Sequence, residues 1–246
     1  MVTKLIINEK DMKNLWTVLG FVIAFNSCSN ELIKYGAGDI KIFIEKGDEW
    51  LHDFHLFPSI NLKNPPQIAV WIEDMNENYI SSVFVSHKIA TDSWSANKGN
   101  RRKEALPVWC HARGVVYHDG LYVPTKDKPI TDAVTGATPC GSFDVKIRSV
   151  GDVRQFVLKV EVNHSTDWND NYPENAKEGD SDYSDESGQP SVVYAVTIDT
   201  DSDVKQYTAA LIGHGSPDGS DGHIYPDTSS LTSATKIVKQ INIIIL

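Results

Sequence analysis

Seven consecutive residues, Asp132, Ala133, Val134, Thr135, Gly136, Ala137 and Thr138, hold the combination of types best suited to chemistry in this chain. Thr138 offers a hydroxyl that a second enzyme can esterify, provided that it is exposed on backbone the enzyme can grip. Gly136 and Ala137 leave almost no side chain in the way. Asp132 can hold the loop by accepting bonds from backbone N–H groups two or three residues on, and Pro139 restricts Thr138 to extended conformations. The same content of Asp, Thr, Gly and Pro also describes an ordinary turn between β segments, or the lead-in to a strand. Both readings stay open at this level.

A second polar stretch, 213–223, alternates Asp and Gly between two histidines. Asp218 and Asp221 are oxygen donors of the kind that suits Ca²⁺, and His214 and His223 are of the kind that suits zinc. The spacing is not that of an EF-hand loop, and zinc would need a third ligand from elsewhere, so a polar loop between strands is the leading expectation. After His164 come Trp168 and Tyr172, set among carboxylates and amides. They can stack on a sugar or a flavin ring, or fold back over the end of a core. There is no G-x-S-x-G or H-E-x-x-H string, and Cys110 and His111 are chain neighbours rather than a couple assembled from distant positions. Carboxylate pairs such as Glu161 with Asp167 are expected by chance in so acidic a chain. The chain reads as a carrier or binding protein rather than an enzyme.

The string 132–138 fits D-x-x-[ST]-G-A-T, which resembles the covalent attachment signature of a family of FMN-binding proteins. There a dedicated transferase joins the phosphate of FMN to the last Thr. The resemblance implies Thr138 as acceptor, with Asp132, Thr135, Gly136 and Ala137 as the surrounding motif. A wider resemblance runs over roughly residues 65–200. A hairpin, then Leu106-Pro107-Val108-Trp109, then 132–139, then Val160-Glu161-Val162, then 187–194 follow one another as in a predicted periplasmic bacterial family of unknown function. It implies an Ig-like sandwich, with an FMN transferase and redox membrane proteins as partners.

Such a modification needs export. Lys13 precedes an apolar run from Leu15 to Phe25, the layout of a secretory signal. The run is shorter than the roughly 18 residues a spanning helix needs. It ends on Phe25-Asn26-Ser27-Cys28, which resembles the lipobox of bacterial lipoproteins and implies acylation of Cys28 and anchoring to a lipid membrane. Met12 is a credible true start. Residues 1–28 are therefore expected to be a signal peptide and 29–246 a single domain, extracytoplasmic and membrane-anchored. Cys110 and Cys140 either pair or stay separate thiols, and no C-x-x-C suggests redox or zinc work. A net charge of −10 argues against a nucleic-acid partner.

The elements that must position these residues are short alternating segments between turn signals, at 39–46, 67–73, 79–87, 142–148, 154–163, 191–199, 206–213 and 236–246. They predict an all-β, antiparallel, Ig-like β-sandwich. One short helix is expected over 101–106, capped by Asn100 and stopped by Pro107. Long irregular loops are expected at 114–130, 165–189 and 214–230.

Overall fold

Ile40, Ile42 and Ile44 are fully buried while Lys41, Phe43 and Glu45 between them are not, as a period of two requires when one face meets a core. The computed structural model describes residues 33–36, 38–57, 60–94, 101–131, 133–148 and 153–246, all within the compact unit Leu32–Leu246. The expected signal segment with Cys28, the Asn100 cap and Asp132 lie outside the described residues.

In chain order the strands are β1 (Ile33–Gly36), β2 (Ile40–Lys46), β3 (His52–Phe57), β4 (Ile60–Asn64), β5 (Gln67–Glu73), β6 (Tyr79–Ser86), β7 (Val134–Gly136), β8 (Phe143–Ile147), β9 (Gln155–Asn163), β10 (Val192–Asp199), β11 (Gln206–Thr208), β12 (Ala210–His214) and β13 (Val238–Ile245). Two short helices, α1 (His87–Thr91) and α2 (Pro107–Ala112), sit between β6 and β7. The protein is an all-β sandwich. One sheet runs β1-β8-β2-β13-β11, the other β12-β10-β9-β5-β6-β7, and β3 with β4 makes a separate hairpin. Pairing is antiparallel except β1 with β8 and β6 with β7, both at sheet edges.

The main core lies between the sheets, where Ile42, Ile44, Phe143, Val145 and Ile243 meet Ile68, Val70, Leu158, Val160 and Val162. A second core covers the outer face of the six-stranded sheet: Ala69, Trp71, Val85 and Val193 pack against Leu106, Val108, Trp109, Val123 and Ile130. β5 is consequently buried along its whole length, which its alternation alone does not reveal. Burying a side chain of Ile or Phe size stabilises by about 1.5–3 kcal/mol. Both cores are therefore substantial.

The helix begins where it was expected to stop. Pro107 occupies its first position and the segment 101–106 forms bends and turns instead. Proline's fixed φ and missing N–H suit a first turn, where that N–H would have no helical partner. The single strand expected over 206–213 is two strands in different sheets, β11 on β13 and β12 on β10. Between them buried Ala209 donates its N–H to Ile241 O at 3.0 Å, so the chain crosses from one sheet to the other at that residue.

Candidate attachment site at a sheet edge

Val134, Thr135 and Gly136 pair in parallel with Phe84, Val85 and Ser86, making β7 the outermost strand of the six-stranded sheet. The attachment string is thus part strand, and among the described residues one side of β7 faces no other strand of that sheet. Val134 and Ala137 are exposed, Thr135 and Gly136 half-buried. An edge of this kind is backbone that a second protein can grip.

Thr138 is half-buried, and its hydroxyl lies 2.7 Å from Ser86 Oγ. Ser86 Oγ donates its proton to Ile68 O at 3.2 Å and accepts Ile68 N–H at 2.8 Å. That single proton can instead go to Thr138 Oγ, so either hydroxyl can donate in the Thr138–Ser86 bond. The next residue is held as well, because Trp50 Nε1–H donates to Pro139 O at 2.9 Å from inside the core. The one after is held covalently: Cys140 is disulfide-bonded. Cys110 is a free, buried thiol, so the pairing of Cys110 with Cys140 does not form.

Thr138 stands just past an edge strand with its hydroxyl turned toward Ser86 at the end of the neighbouring strand.

The 213–223 loop has committed its carboxylates. Asp218 Oδ1 accepts from Ser216 Oγ at 2.7 Å and Ser220 N at 3.0 Å, while Asp221 accepts from His223 N at 2.8 Å and Tyr225 OH at 2.9 Å. His214 Nδ1 bonds Gly215 O at 2.7 Å and its ring stacks on Tyr225. Among the described residues no group of three or more His, Cys, Asp or Glu converges on a metal position. The loop is a built turn against the 103–104 backbone. Gly219 has φ +67°, and a Cβ there would sit 2.3 Å from Lys103 O. Gly219→Ala is therefore expected to destabilise by about 1–3 kcal/mol, read as a lower urea midpoint.

Of the aromatic pair, Tyr172 folds back. It is 8% exposed, belongs to the main core and bonds Ser230 Oγ through its hydroxyl at 3.2 Å. Trp168 is half-buried, under Gly188.

Two buried carboxyls were not picked out as special in the sequence. Glu161 accepts Val108 N–H at 3.2 Å and Ser191 O–H at 2.5 Å on one oxygen, and Trp109 N–H at 2.8 Å on the other. It caps α2 from β9, and burial pushes its pKa up to about 7 against the pull of these donors. Glu104, fully buried, receives Glu186 N–H at 3.4 Å on Oε1, and Oε2 has no hydrogen-bond partner. Burial pushes it to about 7 too.

Glu104 sets a pH dependence. Its folded pKa of about 7 exceeds its ordinary 4.5, so between those values the folded chain holds a proton that the unfolded chain has released. Its stabilising contribution is full below pH 4.5 and is lost as pH rises through 7. Glu104→Gln removes this dependence. Wild type is expected to lose about 1.4 kcal/mol per pH unit relative to the variant across that window, measured by urea unfolding at each pH. His164 runs the other way: burial lowers it to about 4, so its contribution is lost as pH falls from 6.5 to 4.

Compared with known protein families, with curated proteins and with solved structures, the chain matches none.

Proposed function

We propose that this chain is an exported, membrane-anchored lipoprotein that carries FMN covalently on Thr138 and serves extracytoplasmic electron transfer. The observation that supports it is the placement of the attachment string on an outermost strand, with half-buried Gly136 and exposed Ala137 as the small neighbours of Thr138. Thr138 Oγ forms a bond to the FMN phosphorus of an activated donor, a flavin dinucleotide. The anhydride bond breaks, the adenylate half leaves, and the Thr138 proton passes to a base of the transferase. Residues 134–137 present the backbone, and Thr138 holds the tether. When bound, the flavin supplies the redox chemistry, while the protein supplies tethering and exposure to redox membrane partners.

Co-production with an FMN transferase should give a yellow chain, fluorescent after denaturation. A colourless chain of unmodified mass would sink the proposal.

Anchoring has its own test, because the chain has three cysteines. Cys110 is free and Cys140 is in a disulfide. An acylated Cys28 holds its sulfur in a thioether and cannot share a disulfide. A lipidated chain is therefore expected to show Cys140 either as a thiol or bridged to another molecule, by alkylation and peptide mass. An intramolecular Cys140 disulfide together with Cys28 acylated on sulfur would contradict this.

The inward hydroxyl of Thr138 favours a second reading, in which 132–139 is structural. The protein is then a non-catalytic sandwich lipoprotein that binds a glycan, peptide or envelope partner.

A further inference from the structure

Two hydrogen bonds act on consecutive residues: Ser86 holds the Thr138 hydroxyl at 2.7 Å, and Trp50 holds the Pro139 carbonyl at 2.9 Å. Attack on phosphorus requires Thr138 Oγ to face the donor and its proton to face a base. In the folded edge that oxygen is held 2.7 Å from Ser86 Oγ. The backbone cannot follow a displaced side chain far, because Trp50 is 1% exposed and packs against Phe143 with ring centroids 6.1 Å apart. The edge itself is weakly held. β7 has three residues in its ladder with β6, and short edge strands belong to the part of a fold that opens first.

We propose that the folded edge keeps Thr138 latent, and that the transferase acts on it only when β7 and its tail have peeled from β6. This rests on the FMN reading above. Ser86 and Trp50 are then the residues that set how often the acceptor is presented. Opening breaks the β6–β7 ladder and the Ser86 and Trp50 bonds, and leaves both cores in place. It gives the transferase an extended segment in which Gly136 and Ala137 flank a free hydroxyl. Modification would be fastest on newly exported chains whose edge has not yet closed, and the closed edge would protect unmodified mature protein.

The test uses the full chain, purified unlabelled, with a flavin transferase and FAD, reading the initial rate of covalent fluorescence. Wild type is expected to label slowly, and urea below the unfolding transition to accelerate it. Ser86→Ala removes one hydrogen bond from the closed edge, which corresponds to about a fivefold faster rate. Amide exchange at residues 135–138 should rise by the same factor, with no transferase present. Ser86→Ala also takes a partner from Ile68 N–H; should the variant not fold, the urea series and amide exchange on wild type decide alone. Folded wild type labelled as fast as Ser86→Ala and indifferent to urea overturns latency and leaves the attachment reading standing. No label on any chain, including wild type fully unfolded, overturns both.

Discussion

Thr138→Ala is expected to carry no flavin under conditions that label wild type, and Thr138→Ser to keep the label. The effect is all or none because the phosphate ester has one oxygen to form on, and alanine has none. Serine presents the same oxygen without the methyl group. The change should cost the fold little: Thr138 is half-buried, and its bond to Ser86 is worth about 1 kcal/mol net. A Thr138→Ala chain with wild-type urea midpoint, within that margin, and no fluorescence separates the loss of the acceptor from the loss of the structure. Retained label on Thr138→Ala places the attachment elsewhere.

The largest loss of stability is expected at Glu161. Its carboxyl joins three elements, accepting from Val108 and Trp109 at the start of α2 and from Ser191 at the entry to β10. Glu161→Ala deletes the acceptor and leaves two N–H groups and a hydroxyl buried without partners. Each such group costs about 1–3 kcal/mol, so roughly 3–5 kcal/mol is expected for the site once it relaxes. That is a large share of the 5–15 kcal/mol typical of a whole domain. Ser191→Ala removes one donor and leaves the other two satisfied, so about 1 kcal/mol is expected. Urea unfolding orders them, and similar small losses for both would contradict the view that α2 is docked through this carboxyl.

Strand alternation was legible wherever one face is buried and the other is not. Ile40, Ile42 and Ile44 announce β2. It failed where tertiary context supplies the pairing. β7 has three residues, one of them glycine, and becomes a strand only because Phe84 to Ser86 offer it a partner. The start of α2 was read as an end because Pro107 follows good helix formers, while the carboxyl that caps the helix is 52 residues from Trp109. Ser86 and Trp50, the residues that hold the attachment string, lie 52 and 89 residues from their partners in it. No local pattern marks them. Tyr172 was legible as an amphipathic ring on a polar loop, but only the packed chain shows that its face is spent on the core.

The most direct measurement is the mass of the peptide spanning residues 127–146 from wild-type chain produced with an FMN transferase. The account predicts an increase of one FMN less one water, with fragmentation assigning it to Thr138 rather than Thr131 or Thr135. An unmodified peptide, from chain whose export and transferase activity are verified, would contradict it.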